Sequence, residues 1–201
     1  MDMINNCRVY DVFNSIRASG YPMKAHYDDE VAEKELTVQD WNRAGALAKR
    51  DSSEGHDNFL SGLLISMDIT ATKQWWTEFQ RYHFQQIVSS QSTMHRLAKM
   101  QLDTACINHT DSVIVNRLIE LQKRYNENPT DENFLTLIYS CPSGLKLTAR
   151  VTTNYRQIKT MVKQRHNHRL PEWREFCKEL PYKLPDYHEL ILGEGFEFTA
   201  G

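Results

Sequence analysis

The chain has 201 residues, of which 40% are hydrophobic and 25% charged, an ordinary composition for a globular protein. Its formal net charge of −2 argues against a broadly basic surface for nucleic acid. The sequence contains no run of about 18 apolar residues, so no membrane-spanning helix is expected. The first residues lack the basic and apolar segments of a signal peptide, which favours a cytoplasmic protein. The length predicts one domain, 1–201, with a flexible tail at 193–201.

The cysteines and histidines do not form a metal-binding or disulfide pattern. The four cysteines are widely spaced: Cys7, Cys106, Cys141 and Cys177. This spacing is typical of reduced thiols, and none is flanked by an activating base that would make it a nucleophile. The H-x-H within "RHNHR" lacks a third ligand at metal spacing, so no metal site is predicted.

The first third of the chain contains patterns for two strands and one helix. Residues 7–13, "CRVYDVF", are rich in β-formers and predict a short strand. Thr37, followed by Asp40 three residues later, is a variant of the capping box, which predicts a helix over 38–50. Apolar residues alternate with other residues over 63–69, which predicts a strand with one buried face.

The rest of the chain is predominantly helical in pattern. Apolar residues recur at three- and four-residue steps from about residue 70, which predicts a helix over 70–88 with Trp75 and Trp76 in the core. Further helices are predicted over 93–103, 111–127, 130–141, 143–165, 171–180 and 185–192. The sequence therefore predicts an α+β fold, a mixed single domain with a small β-sheet flanked by several helices.

The segment "SSQSTMHR", Ser89–Arg96, places three serine hydroxyls before a predicted helix. The N–H groups at a helix start, with the positive end of the helix dipole, bind anions. Arg96 lies one turn beyond Ser92, so both project from the same side of the predicted helix. The segment is therefore either a serine N-cap, which is the commoner use of such residues, or a phosphate-binding site.

Four other polar residues are candidates for a site. Asn154 and Arg165 are eleven residues apart, close to three helical turns, so they lie on nearly one face of the predicted helix. They either line a pocket or mark where a core helix meets water. His56 follows a glycine in a loop, and His83 lies among aromatics on a predicted helix. Each is either a packed residue or one recruited because imidazole titrates near neutral pH.

The segment "CPSGLKLTARVTTNYRQIKTMVKQR", followed by "EW" at Glu172–Trp173, resembles the C-terminal half of the flavin-dependent thymidylate synthases. That family has a proline, then Asn-x-Arg on a long helix, an arginine that closes the helix, and a Gln-Trp-Glu. The residues at the family's spacings are Pro142, Asn154, Arg156 and Arg165. Glu172–Trp173 follows after a one-residue insertion. The resemblance covers roughly residues 45–190.

The N-terminal half resembles the family more loosely. It has Gly55–His56, a strand, Gln74–Trp75, and "SSQS" where the family has Asn-Glu-x-Ser. The family signature is Arg-His-Arg, and the chain has Tyr82-His83-Phe84 at that place. Ile87 replaces the hydroxyl between this signature and the family's serine. The pattern is that of a divergent branch, of the kind associated with phages or prophages.

The resemblance implies conversion of dUMP to dTMP with methylenetetrahydrofolate as one-carbon donor and FAD reduced by NADPH. It implies that Arg165 is catalytic, lying against the uracil ring and favouring ionisation at N3. The residues it assigns to dUMP are Gln74, Ser89, Ser90, Gln91, Ser92, Arg96 and Arg165. The residues it assigns to FAD are His56, His83, Asn154 and Arg156. The family needs no cysteine nucleophile.

The resemblance also implies a homotetramer with sites shared across subunits, in the host cytoplasm if the gene is phage-borne. Two alternatives stay open. Tyr82, Phe84 and Ile87 favour a homologue with altered pyrimidine-nucleotide chemistry, such as hydroxymethylation, or one that only binds nucleotide. The basic stretch "KQRHNHR" at 163–169 favours a helical nucleic-acid-binding or interaction protein, which is the weaker reading because the rest of the chain is slightly acidic.

Overall fold

The computed structural model describes residues 2–26 and 35–192. Residues 27–34 and the predicted flexible tail at 193–201 lie outside the described part of the chain. Four strands and nine α-helices are present in the described residues. The strands are β1 Ile4–Tyr10, β2 Leu64–Thr72, β3 Gln85–Ser90 and β4 Lys146–Asn154.

The helices account for most of the regular structure. They are α1 Val12–Ala18, α2 Val38–Ala48, α3 Lys73–Phe79, α4 Thr93–Arg96, α5 Leu102–Ala105, α6 Ser112–Glu127, α7 Asp131–Tyr139, α8 Tyr155–Arg165 and α9 Pro171–Lys183. Single 3-10 turns lie at Tyr21–Met23, Ser52–Glu54, Asn58–Ser61 and Leu97–Lys99. A π-helical turn, His188–Leu192, ends the described chain.

The strands form one four-stranded sheet in the order β1-β2-β4-β3. The inner strands β2 and β4 are antiparallel. At one end the Tyr155 N–H donates to the Leu63 carbonyl at 3.1 Å, and at the other the hydroxyls of Thr70 and Thr148 lie 2.8 Å apart. Because β4 leads directly into α8, the sheet determines where α8 begins. The predicted α+β class, a small sheet with several helices, is confirmed.

The chain divides into two compact units. The first unit comprises Met1–Asp68, His83–Gln86 and Val151–Gly201, and the second comprises Ile69–Tyr82 and Ile87–Arg150. Strands β2, β3 and β4 therefore each contribute residues to both units. The single domain over 1–201 stays a prediction.

In the first unit, α8 buries one stripe and exposes the other. Its apolar residues Ile158, Met161 and Val162 are buried and pack towards α9, the 58–61 turn and the π-helical turn. The polar residues between them follow the opposite stripe, as helical spacing requires. This leaves the charged side chains of α8 available to other loops of the same unit.

The second unit has a core of its own, built on α6 and α7. Its buried residues are Leu97, Leu102, Cys106, Leu118, Leu121, Leu137 and Leu145. Trp75 and Trp76 of α3 are also buried in this unit, as predicted, and Trp75 stacks on Phe79 with ring centroids 4.8 Å apart. The amphipathic helix predicted over 111–127 is confirmed within one residue.

The helix predicted over 38–50 is confirmed in type and in its start. Thr37 Oγ1 accepts a hydrogen bond from the Asp40 N–H at 3.2 Å, and the Asp40 carboxylate accepts one from the Thr37 N–H at 3.0 Å. This is the capping box that the sequence predicted. The bonds span three residues, so no distant part of the chain is needed to form them.

Two helix predictions were wrong over part of their length. The helix predicted over 70–88 ends at Phe79, and Gln85–Ser90 forms strand β3 instead. The helix predicted over 143–165 begins only at Tyr155, because Lys146–Asn154 is strand β4. In both segments pairing within the sheet determines the backbone, and β4 carries the β-branched run 151–153, which suits a strand.

Smaller differences occur in two further places. The helix predicted over 93–103 is broken into α4, a 3-10 turn and α5. The strand predicted over 7–13 lies three residues earlier, and its last residues belong to α1.

Candidate functional site

Helix α8 begins at the end of strand β4, and Asn154 is the residue at the junction. The Asn154 side-chain oxygen accepts a hydrogen bond from the Gln157 N–H at 2.8 Å, which makes Asn154 the N-cap. Its backbone is extended, so it does not share a helical face with Arg165 as the sequence suggested. The two residues instead mark opposite ends of α8, about 16 Å apart along the axis at the usual rise per residue.

His83 lies in the bend before β3 and not on a helix, which corrects the predicted placement. The next residue, Phe84, is attached to the start of α8 through its backbone. The Phe84 N–H donates to Gln157 Oε1 at 3.4 Å, and its carbonyl accepts from Thr153 Oγ1 at 2.8 Å. These bonds hold His83 beside the N-terminal end of α8, with the side chains of His83 and Phe84 exposed.

Asp57 is the central acidic group of this region. Its side chain is 0% exposed, and it accepts hydrogen bonds from Arg156 Nε at 3.0 Å, from Lys159 Nζ at 2.7 Å and from the Ser52 hydroxyl. Burial alone would raise the pKa of Asp57, but the hydrogen bonds from Lys159 and Ser52 and the two positive charges outweigh burial and lower the pKa. Asp57 is therefore an ionised carboxylate that joins its loop to α8.

Sequence reasoning missed Asp57. The residue follows His56 in "GHDN", where nothing local distinguishes it from an ordinary loop carboxylate. Its partners Arg156 and Lys159 lie 99 and 102 positions further along the chain. The one available signal was the i, i+3 spacing of two cations near the start of α8, which shows that they share a face but not what they contact.

His56 and Arg156 are brought together through Asp57. His56 precedes Asp57 directly and is exposed, with Nε2 3.7 Å from a Glu54 carboxylate oxygen. Gly55, at φ 75°, makes the left-handed turn that presents this loop. Arg156 also donates from Nη2 to the Ser52 carbonyl at 2.8 Å. The four residues assigned to FAD thus gather around the N-terminal end of α8, within one compact unit.

This set of groups fits a cofactor with phosphates and a planar ring. Arg156 supplies a positive charge, and the N-terminus of the eleven-residue helix α8 favours an anion. The exposed ring of Phe84 offers a flat apolar surface next to His83. Tyr82 and Phe84 stand where the family signature has arginines, so the positive charge here comes from Arg156 and the helix end.

Arg165, the last residue of α8, is oriented by an aromatic ring. Its guanidinium carbon lies 5.0 Å from the ring centroid of Trp173, a side chain that is fully buried. The His168 ring meets Trp173 edge-on at 6.3 Å. A guanidinium stacked on a fixed aromatic face has few orientations available. Trp173 therefore limits the direction in which Arg165 presents its charge.

The residues assigned to dUMP, apart from Arg165, all belong to the second unit. Ser89 and Ser90 are the exposed end of β3. Ser92 stands at the N-cap position of α4, but its hydroxyl makes no capping hydrogen bond. Arg96 ends α4 and is exposed. Because α4 has only four residues, its dipole is small, and any anion bound here depends on the hydroxyls and Arg96.

Gln91 has a structural contact within the second unit. Its N–H donates to the Thr148 carbonyl at 2.9 Å, and its side-chain oxygen accepts from the Thr148 N–H at 2.9 Å. The side chain thus takes the place of a backbone carbonyl and extends the pairing of β3 with β4. The side-chain oxygen of Gln91 is therefore already hydrogen-bonded within the sheet.

Gln74 is exposed in the first turn of α3, and its N–H donates to the Ser143 carbonyl at 3.1 Å. A cavity of about 240 Å³ lies in the same unit. Its lining residues are Lys73, Trp76, Thr77, Gln80, Ile87, Ser90, Leu147 and Ala149. Of the residues predicted to bind the nucleotide, Ser90 lines this cavity and the others do not.

Three of the four cysteines lie in environments that disfavour a thiolate. Burial raises the pKa of Cys106 and of Cys141, and it raises the pKa of Cys177 to about 12. Within residues 2–26 and 35–192, no three His, Cys, Asp or Glu side chains form a group that could hold a metal. No helix in those ranges is long and apolar enough to cross a membrane.

A four-stranded sheet in the order β1-β2-β4-β3, with β4 leading directly into a capped helix, defines the class of fold. Its most similar solved structures include flavin-dependent thymidylate synthase ThyX from Helicobacter pylori complexed with FAD and dUMP, with a TM-score of 0.74 and 16% sequence identity. The likeness covers 95% of this chain and 98% of that one. A second structure of the Helicobacter pylori protein with FAD and dUMP gives a TM-score of 0.72 at 16% identity, over 94% and 96% of the two chains.

No protein-family model matches the sequence, and no curated protein sequence matches it either. The structural likeness therefore establishes the fold of this chain. It confirms, at the level of fold, the resemblance that the Asn154-x-Arg156 and Arg165 spacing indicated.

Proposed function

We propose that this chain is a flavin-dependent thymidylate synthase-like enzyme that converts dUMP to dTMP, with methylenetetrahydrofolate as one-carbon donor and NADPH as reductant of FAD. The observation that carries the proposal is the convergence of His56, His83, Asn154 and Arg156 on one helix end. The fold of the neighbours that bind FAD and dUMP, matched over nearly the full length of both chains, supports it.

In this proposal the N-terminal end of α8 holds the flavin. Arg156, oriented by Asp57, and the helix N-terminus attract the phosphates. His56, His83 and the Phe84 ring contact the flavin side of the cofactor. FAD, when bound, supplies the hydride for the reaction. The protein's own groups bind, orient and polarise.

Arg165 is proposed to act on the uracil ring. A fixed positive charge beside the ring stabilises negative charge that develops at its N3 side. The contact with Trp173 holds the guanidinium in one orientation, so little reorganisation is needed during the reaction. No thiolate is required for this step, and the raised pKa values of Cys106, Cys141 and Cys177 are compatible with that.

The nucleotide phosphate is proposed to contact Ser89, Ser90, Ser92 and Arg96. Ser92 supports this assignment because its hydroxyl is not used to cap α4. Gln74 and Gln91 complete the proposed nucleotide set. We also propose a homotetramer with sites shared across subunits, which sedimentation velocity on the purified protein tests directly.

The deciding experiment is a visible absorption spectrum of the full chain after saturation with FAD and desalting. A retained flavin band that dUMP perturbs is the expected result, and formation of dTMP from dUMP, methylenetetrahydrofolate and NADPH is then measured. A colourless protein after desalting contradicts the proposal. Arg156→Gln is the matched variant, because it removes the charge at the helix end, and we expect it to lose the flavin band.

A second candidate function rests on Tyr82 and Phe84. Their positions carry arginines in the family signature, and the exposed Phe84 ring offers no charge to a phosphate. A homologue with altered pyrimidine-nucleotide chemistry, for example hydroxymethylation, fits this change. Flavin and dUMP binding without dTMP formation, with product analysis by mass spectrometry, separates this candidate from the first.

A further inference from the structure

A cleft on the first unit is lined by more cations than the proposed flavin and nucleotide roles use. Its volume is about 730 Å³. The residues that line it are Lys49, Arg50, Asp51, Ser52, Lys159, Thr160, Val162, Lys163, Gln164, Ile191 and Leu192. One wall is therefore the loop after α2, another is a face of α8, and the π-helical turn adds apolar side chains. The volume is within the range of sites for small ligands.

The positive groups of α8 are held in place by carboxylates behind them. Lys159 is only 14% exposed and donates to Asp57 at 2.7 Å and to the Arg50 carbonyl at 2.7 Å. Lys163 is 73% exposed and lies 3.1 Å from Asp51. Lysines four residues apart on one helix face repel each other, and these two carboxylates offset that repulsion. The arrangement buries one ammonium group within the cleft and places the other, largely exposed, at its rim.

The charges of the cleft do not balance within the described residues. Four of the lining residues are cations, Lys49, Arg50, Lys159 and Lys163, and one, Asp51, is a carboxylate. Behind the lining, the buried carboxylate of Asp57 accepts a hydrogen bond from Lys159. In residues 2–26 and 35–192, no side chain pairs with the exposed guanidinium of Arg50. Two positive charges therefore remain in excess.

We propose that this cleft binds a multivalent anion, a chain of phosphates or of carboxylates attached to a partly apolar molecule. The cations come from two separate segments, the loop after α2 and helix α8, which suits several charges spread along a ligand better than one compact ion. Lysine ammonium groups act as point charges that adapt to either oxyanion. Val162, Ile191 and Leu192 provide the surface for the apolar part of the ligand. The inference stands independently of the flavin and dUMP assignments.

The test is isothermal titration calorimetry of the full chain with tripolyphosphate and, separately, with a γ-linked triglutamate, at low and at physiological salt. We expect one of these probes to bind, with an affinity that falls as salt is raised. Replacing Arg50 and Lys163 together (R50Q/K163Q) is expected to weaken binding by about tenfold or more, since each side chain provides a charged hydrogen bond. Both side chains lie at the surface, so thermal melting checks that the fold is kept.

Lys178→Gln is the matched control, because Lys178 is exposed on α9 outside the cleft and its loss changes the net charge in the same direction. Wild-type affinity in this control and weaker binding in the double variant support the proposal. Preference for tripolyphosphate identifies a phosphorylated ligand, and preference for triglutamate identifies a polycarboxylate. The proposal is overturned if neither probe binds. It is also overturned if the control and the double variant lose affinity equally. Neither titration contains FAD or dUMP. Its outcome therefore does not depend on whether the protein binds flavin.

Discussion

Two strand-to-helix junctions in this protein have the same local plan and different structures. In the first unit β4 passes through Asn154 into α8, and in the second β3 is followed by Ser92 and α4. Asn154 caps an eleven-residue helix with a 2.8 Å hydrogen bond, whereas Ser92 makes no capping bond to a four-residue one. The first junction is held by side-chain contacts of the protein itself. The second leaves its hydroxyls available to a ligand.

The surroundings explain the difference. The junction at α8 is connected by Asp57 to Arg156 and Lys159, and by Phe84 to Thr153 and Gln157. The junction at α4 is held chiefly by backbone pairing with β4 and by the contact of Gln91 with Thr148. The N-terminal end of α8, where the flavin is proposed to bind, is therefore held in place by the protein's own contacts, whereas the Ser92 hydroxyl makes no capping bond to α4.

The largest effect is expected at the far end of α8. Arg165→Ala is expected to lower turnover of dUMP by about 10²- to 10³-fold while leaving the fold intact, because it removes the positive charge proposed to face the uracil. Turnover is measured as dTMP formed at saturating dUMP. Arg169→Ala is the matched control, since Arg169 is an exposed arginine four residues further on. Wild-type turnover in Arg165→Ala contradicts the assignment of this residue.

The next largest effect is on stability. Asp57→Asn is expected to lower the free energy of unfolding by about 3 kcal/mol, because Arg156 and Lys159 lose their buried counter-charge. Urea unfolding followed by circular dichroism measures the change. Asp51→Asn, which removes an exposed partner of Lys163, is the control and is expected to cost much less, because exposed ion pairs contribute little to stability. Similar losses in the two variants contradict a structural role for the buried network.

The two junctions themselves are compared with a pair of alanine variants. Asn154→Ala is expected to lower the free energy of unfolding by about 1 kcal/mol through loss of the cap. Ser92→Ala is expected to leave stability unchanged, since its hydroxyl caps nothing, and to weaken dUMP binding by about fivefold. Thermal melting and dUMP titration are measured for both variants. Unchanged dUMP affinity in Ser92→Ala is evidence against the anion-binding role of this segment.

The smallest effect is the pH dependence of a local cap. Hydrogen bonds from the backbone and side chain of Thr37, and then from Arg43, lower the pKa of Asp40 to about 2. A carboxyl with a depressed folded-state pKa contributes stability that is present above its unfolded pKa, near 4, and is lost as the pH falls towards 2. Asp40→Asn is therefore expected to destabilise the protein at pH 6 by about 1 kcal/mol or less. The difference from wild type should shrink at pH 3, and a constant difference contradicts the assignment.

Sequence reasoning succeeded where the interactions are short in range. The Thr37–Asp40 capping box, the Thr130 cap of α7 and the amphipathic helix α6 all follow from residues within a few positions of one another. The order and spacing of Pro142, Asn154, Arg156 and Arg165 indicated, through resemblance to a known family, the fold that the neighbours share.

Sequence reasoning failed where distant segments decide the backbone. Residues 85–90 and 146–154 have apolar residues at spacings that a helix could also use, and they became strands because they pair with each other and with β2. Pairing of this kind satisfies backbone N–H and carbonyl groups of distant residues, as between Gln91 and Thr148, 57 positions apart, which no short window of residues can show.

The same distinction applies to the site. The sequence by itself determined which residue types were present, the helix periodicity, the local caps and the order of the motif residues. Only the tertiary structure decided that Asp57 is buried between Arg156 and Lys159, and that Arg165 stacks on Trp173. The reason is physical: the pKa of a carboxylate and the orientation of a guanidinium depend on the charges and rings within a few ångströms. Those neighbours are assembled by packing and not by adjacency along the chain.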